Sequence, residues 1–209
     1  MSAASSALTL AHWRRTIAEL YADVRAGHAR DPATAAAAFR SARDRLFGEH
    51  PDSPVPSDRR ARWTGADWFP YDPAWRIEAA FEAATVVTTF DIPLAADGTL
   101  RCARIGTVRF AFDGNATRLA LYWVAGYGGG LWLPFGDTTN RTTTYGGGRY
   151  LYDTIKGADL GAAASPFVLD FNFAYNPSCA YDDRWSCPLS PLENRLPFAV
   201  TAGERLPPP

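Results

Sequence analysis

From Thr9 onward the apolar positions Trp13, Ile17, Leu20, Tyr21 and Val24 recur every three or four residues, which predicts one face of an amphipathic helix with Gly27 as its stop. Asp31-Pro32 then supplies an N-cap followed by proline in the first turn. It opens a second, alanine-rich helix through Phe39, Leu46 and Phe47. The stretch from His50 to Ser57 carries Pro51, Pro54 and Pro56 and cannot continue a helix, so it reads as a surface connector.

After Pro73 the period changes from helical to alternating. Ile77 to Glu82, Thr85 to Ile92, Leu100 to Phe112, Leu119 to Val124, Leu131 to Phe135, Arg149 to Ile155, Phe167 to Tyr175 and Leu196 to Thr201 are rich in β-branched and aromatic residues. Asp97-Gly98 and Asp113-Gly114 supply hairpin turns. The expected class is α+β. Residues 1–50 form a helical arm, 51–72 a proline-rich and aromatic connector, and 73–209 an antiparallel β-barrel or barrel-like sandwich of about eight strands, all in one domain. A parallel sheet would need crossover helices that the pattern lacks. The tail from Leu206 to Pro209 reads as unstructured.

With 47% apolar and 13% aromatic residues among 209, and charges that cancel to −1, the composition is that of a globular protein. Neither nucleic acid nor an anionic membrane is an expected partner, because both select basic patches. No basic start leads into an apolar run of signal-peptide length, so a cytoplasmic location is expected. Three cysteines, Cys102, Cys179 and Cys187, do not make a disulfide framework. The glycosylation patterns at Asn115 and Asn140 carry no weight without export.

Candidate chemistry is densest from Val168 to Pro197. If residues 167 to 175 form one strand, Phe167, Leu169, Phe171, Phe173 and Tyr175 share one face, and Asp170 and Asn172 share the other. On an exposed face that pair is unremarkable, whereas inside a barrel it must be hydrogen-bonded and suits a ligand. Cys179 and Cys187 admit three readings: packed thiols, a disulfide or redox pair, and a nucleophile or metal ligand. Metal ranks last, because the spacing is loose and all three histidines, His12, His28 and His50, lie in the arm. The same absence argues against a histidine-based triad. The glycine clusters at 126–130 and 146–148 fit tight hairpins better than a phosphate loop, although Arg149 beside the second suits an anion. Glu193-Asn194-Arg195 either pins a long loop or offers an acid–base group beside an anion clamp. Trp63, Trp68, Phe69, Tyr71 and Trp75 fit a plug on the core better than a stacking cage.

Several of these segments also occur in order as long motifs: Trp68-Phe-Pro-Tyr-Asp-Pro73, Pro134-Phe-Gly-Asp-Thr138, Thr144-Tyr-Gly-Gly-Gly-Arg-Tyr-Leu151, Asp170-Phe-Asn172, Tyr175-Asn-Pro177, Cys179-Ala-Tyr181 and Cys187-Pro-Leu189 through Glu193-Asn-Arg-Leu-Pro197. In these the chain resembles the bacterial and archaeal DUF1684 family, a domain of unknown function, and the likeness extends to Arg43-Asp-Arg-Leu-Phe47 and His50-Pro51. Gly136 departs from it, where a larger and often charged residue is expected. The resemblance implies a shared architecture and a shared site without naming a reaction.

The expected function is small-molecule binding in the interior or mouth of a barrel, with enzymatic action on a polar or anionic organic molecule. A non-catalytic carrier and an interaction module are the alternatives. Asp170, Cys179, Cys187 and Glu193 are the catalytic candidates. Asp137, Tyr145, Arg149, Asn172, Tyr175, Asn176, Tyr181, Asn194 and Arg195 are the ligand-binding candidates. No metal and no cofactor is expected.

Overall fold

The structure, a computed structural model, describes residues 3–95, 98–161 and 166–208. Helix α1 spans Ala3–His28 and α2 spans Pro32–Glu49. The first helix thus begins before Thr9 and runs through Gly27. Its expected stripe is nonetheless the inward face, with Tyr21 and Val24 buried and Ile17 and Leu20 packed at the margin. Asp31 caps α2 as expected, its carboxylate accepting from the Thr34 amide at 3.1 Å, with Pro32 in the first turn. The buried stripe of α2 is Ala36, Phe39, Arg43, Leu46 and Phe47. A short helix α3, Ser57–Arg60, lies in the connector. No helix among the described residues is long and apolar enough to cross a membrane.

Among the described residues six antiparallel strands follow: β1 (Arg76–Pro93), β2 (Thr99–Phe112), β3 (Asn115–Val124), β4 (Gly130–Phe135), β5 (Arg149–Asp153) and β6 (Phe167–Asp170). They order as β5-β4-β3-β2-β1-β6. Beyond β6 the chain makes one 3-10 turn at Phe171–Phe173, and Tyr175 then exchanges both backbone hydrogen bonds with Tyr150 of β5, at 2.9 and 3.1 Å. The two edges of the sheet thereby meet, and the barrel is nearly closed. Asp113 and Gly114 both take positive φ, 49° and 75°, in the two-residue hairpin between β2 and β3. Of the other expected turn, Asp97 lies outside the described residues and Gly98 takes φ 74°.

Among the described residues six strands stand where about eight were expected, because two runs merge and one forms no ladder, while a further run is cut short. The first two runs are one strand, bent where residues 84–87 of β1 face only Ile105 of β2. The run from Phe167 stops as a strand at Asp170, whose side chain accepts from the Asn172 amide at 3.1 Å and so caps the 3-10 turn. The run Leu196 to Thr201 never forms a ladder, because Pro197 has no N–H and the Val200 amide turns to the Asp137 side chain at 3.3 Å. The tail is pinned as far as Leu206, whose amide donates to the Thr143 carbonyl at 3.0 Å.

The barrel interior is solid. Leu119, Leu133, Phe135, Leu151, Leu169 and Phe171 are fully buried and pack with Val200 and Ala202 of the tail. Cys102, Ala120, Tyr122, Trp132 and Tyr150 form a second cluster, covered by Phe90, Ile92 and Leu100 of the bent hairpin. The arm docks through Tyr21 and Phe39, whose rings lie 5.1 Å apart, and through Phe39 onto Phe173, again at 5.1 Å.

Candidate functional site

Buried side chains pack the described interior of the barrel, and one of the spaces at the surface opens where the arm crosses β5. Trp13, Ile17 and Tyr21 of α1 and Arg43 and Phe47 of α2 face Tyr150, Asp153, Lys156, Tyr175 and Asn176 across a narrow cleft. About 60 Å³ of it is open to the centre of a water molecule, room for roughly four to six waters. The turn after β5 shapes its floor. Gly157, at φ 89°, comes so close to α1 that a β-carbon there would stand 2.8 Å from the Ala18 nitrogen.

Two ion pairs border the cleft. Lys156 Nζ lies 3.4 Å from Asp153, and Arg43 grips Glu204 with two hydrogen bonds at 3.0 and 3.1 Å. Glu204 is fully buried and also accepts from the Asn176 amide at 2.7 Å and from the Tyr181 hydroxyl. Burial pushes its carboxyl above the ordinary range, against the pull of Arg43. Desolvation draws the Lys156 ammonium down, but Asp153 and then Cys187 outweigh it and leave the pKa raised. Two lining residues carry buried polar atoms without a partner, Tyr21 Oη and Asn176 Oδ1. Such atoms are rare in a folded core and mark places where a ligand or water completes the bonding.

Cys179 follows Ser178 on the cleft rim, in a 3-10 turn. Its amide lies 3.4 Å from Cys187 Sγ, and the Tyr145 hydroxyl donates to its Sγ at 3.5 Å. Both thiols are free and partly exposed. The hydrogen bond with Cys187, then that from Tyr145, then one from the backbone and last the Lys156 charge lower the Cys179 thiol to about 6, while burial opposes them. The same bond raises Cys187. Cys102 is buried on β2, its thiol pushed up to about 11 by burial. Among the described residues, no three His, Cys, Asp or Glu side chains gather as a metal site.

Of the other sequence candidates, Tyr175 and Asn176 line the cleft and Tyr181 supports it through Glu204. The rest lie elsewhere. Arg149 is completely buried, donating to Asp137 at 2.9 Å, to the Val200 and Glu204 carbonyls at 3.0 and 3.1 Å, and to the Ala202 carbonyl; it ties the tail to the barrel. Asp137 also accepts from the Thr139 amide at 2.8 Å. A side chain at Gly136 would stand 2.9 Å from Asn140 Oδ1, which accepts from the Asp137 amide, so glycine there leaves this turn intact. Asp170 and Asn172 serve the 3-10 turn, and Asn172 also brackets Asp72, accepting from its amide at 3.0 Å and donating to its carbonyl at 2.8 Å. Asn194 is inserted between β3 and β4, bonding the Ala120 amide and the Ala120 and Pro134 carbonyls at 2.7 to 2.9 Å. Glu193 accepts from the Tyr122 hydroxyl at 2.6 Å and pairs with Arg104 at 3.3 Å on the outer surface, where Arg195 is also exposed. The tryptophan-rich connector packs rather than cages: Trp75 stacks on Phe112 at 4.1 Å, and Trp63 covers Phe47 and Tyr181.

Sequence reasoning passed over Tyr21, Arg43, Tyr150, Asp153, Lys156 and Glu204. Two of these carried a usable signal. Lys156 is the single lysine in a chain with 20 arginines. Arg43 is a charged residue set at helical spacing within the apolar stripe of Phe39, Leu46 and Phe47. Glu204, next to the proline tail, carried none.

A family model described as "Protein of unknown function (DUF1684)" matches residues 61–205. The chain is also similar to the solution NMR structure of the uncharacterized protein from gene locus rrnAC0354 of Haloarcula marismortui. The two are 36% identical over 82% of this chain and 92% of that one, with a TM-score of 0.59. No match is found among curated proteins.

Proposed function

The chain belongs to the DUF1684 family, and on that footing we propose that it binds a small polar organic molecule in the cleft between arm and barrel and acts on it as an enzyme, with Cys179 as nucleophile. The observation that carries this reading is the juxtaposition of an activated thiol with unfilled polar space. The Cys179 sulfur accepts from Tyr145 beside a cleft in which Tyr21 Oη and Asn176 Oδ1 lack partners. The cleft supplies a donor at Tyr21, an acceptor at Asn176 and a cation at Lys156, while Trp13, Ile17 and Phe47 offer apolar contact. The hydrogen bonds at its sulfur favour the thiolate of Cys179, with no imidazole base needed.

The same apolar residues on the arm side favour, as a second reading, a carrier that holds an amphipathic molecule without changing it. Alkylation separates the two. Iodoacetamide should label Cys179 first, with a rate that rises through a midpoint near pH 6, and Tyr145→Phe should move that midpoint upward. A thermal-shift screen of small metabolites should then find stabilising compounds whose effect Tyr21→Phe and Lys156→Met weaken together. Labelling of Cys179 only in the range of an ordinary thiol would remove the catalytic reading, and stabilisers insensitive to both variants would remove the cleft.

A further inference from the structure

Resting on that reading and naming its chemistry, we propose that Cys179 and Cys187 form a working dithiol that reduces a low-molecular-weight disulfide, Cys179 attacking and Cys187 resolving. Three features of the geometry support the division of labour. The two residues are held together, Cys187 Sγ lying 3.4 Å from the Cys179 amide, so a mixed disulfide formed at Cys179 has the second sulfur beside it. Each partner sits on a tethered segment. Tyr150 donates to the Pro188 carbonyl, the Ser190 amide donates to the Gly147 carbonyl at 3.0 Å, and the Tyr181 amide donates to the Ser178 carbonyl at 3.0 Å. Finally, the two sulfurs are placed differently, because Cys179 follows Ser178 on the cleft rim and its sulfur accepts from the Tyr145 hydroxyl, whereas Cys187 Sγ faces the Cys179 amide. That asymmetry is what thiol exchange requires, a thiolate to attack and a protonated partner that stays inert until the mixed disulfide forms.

The exchange balances as follows. The Cys179 thiolate attacks one sulfur of RS–SR′ and forms a protein–SR bond. The electron pair of the broken S–S bond leaves with R′S⁻, which takes a proton from solvent. Cys187 then gives up its own proton and attacks Cys179 Sγ, expelling RS⁻, which is protonated in turn. The substrate gains two electrons as two thiols, and the protein is left with a Cys179–Cys187 disulfide. A low-molecular-weight thiol in excess restores the dithiol by the reverse exchange. The cleft admits one small polar end of such a disulfide, since it holds only about 60 Å³, roughly four to six waters.

The full-length reduced protein, treated with a small excess of 5,5′-dithiobis(2-nitrobenzoate), provides the test. About two thiolates of the reagent should be released per chain, and peptide mapping should find an internal 179–187 disulfide. Cys187→Ser should stop at about one and retain the mixed disulfide on Cys179; Cys179→Ser should release almost none in the same time. Dithiothreitol should return the oxidised wild type to its starting reactivity. Release of one equivalent by wild type, with a lasting adduct on Cys179, overturns the dithiol while leaving Cys179 as the nucleophile of the cleft. A Cys179 inert both to this reagent and to iodoacetamide at neutral pH overturns both proposals.

Discussion

Asp170→Asn should stabilise the protein increasingly as the pH rises. Asp170 is almost fully buried, its Oδ1 taking hydrogen bonds from the Asn172 amide at 3.1 Å and side chain at 2.9 Å. Burial raises its pKa from 3.8 to about 6, and neither those bonds nor the nearby Arg76 and Arg40 offset it. Below pH 3.8 native and unfolded chains both carry the proton. Between there and about 6 the unfolded chain releases it while the native one keeps it, so stability falls with rising pH. Above that window the whole deficit, at most about 3 kcal/mol, is present. Asparagine keeps the acceptor for the turn and never ionises, so the deficit disappears. Urea unfolding at pH 4.5 and 7.5 should show the advantage of the variant widening by about 2 kcal/mol, a midpoint change of roughly 1 M at the urea dependence usual for this size. A gap that does not change with pH, or one that closes as pH rises, would mean that Arg40 and Arg76 hold the carboxylate charged, and the burial argument would be wrong.

Three further perturbations probe the frame around the cleft. Asn194→Ala should cost about 2–4 kcal/mol, read as a lowered melting temperature, because it leaves the Ala120 amide and two carbonyls unpaired between β3 and β4; a change under about 1 kcal/mol would mean that water replaces the amide. Gly157→Ala sets a side chain against Ala18 at positive φ and should cost roughly 1–3 kcal/mol, with limited proteolysis cutting α1 faster than in wild type; unchanged protection of the helix would show that the turn shifts without lifting the arm. Burial and His12 hold the His50 imidazole below its usual pKa, its Nε2 facing His12 Nδ1 at 3.1 Å, so its neutral form contributes stability that is present above 6.5 and is lost as pH falls below it. His50→Gln should therefore flatten the fall in melting temperature between pH 7 and pH 5, and an unaltered profile would assign the acid sensitivity to other groups.

What could be read from the sequence was what local chemistry decides. Asp31-Pro32 caps a helix wherever it is placed, Asp113-Gly114 can take the left-handed angles of a tight hairpin, and the stripe Ile17, Leu20, Tyr21, Val24 needs a core to cover it. Side-chain alternation was legible even where the strand was not. Leu196 and Val200 are buried on either side of exposed Pro197 and Ala199, as a strand would have them. Yet the amides of that run go to the Gly136 carbonyl at 2.8 Å and the Asp137 carboxylate at 3.3 Å, so no ladder forms. Backbone partners between distant segments have no local signature. Arg149 illustrates the same limit at the site: an arginine beside a glycine cluster suits an anion, and the anion it holds is Asp137 of its own chain.

The cleft brings together two parts of the chain that the family match separates. Asp153 and Lys156 in its lining, and Tyr145, Cys179 and Cys187 beyond its rim, all fall within residues 61–205, whereas Trp13, Ile17, Tyr21, Arg43 and Phe47 come from the arm, before that span. Arg43 joins the two, since its guanidinium lies 4.1 Å from the centre of the Phe47 ring and holds Glu204, which in turn orders Asn176 and Tyr181 on either side of Cys179. Under the proposed function, this divides the labour. The body holds the thiols at their working geometry, and the arm decides which molecule reaches them. Changes at Trp13 or Ile17 should then alter which compounds stabilise the protein while leaving the alkylation profile of Cys179 in place; changes at Tyr145 should do the reverse. If instead both properties move together in either set, arm and body are one energetic unit and the division does not hold.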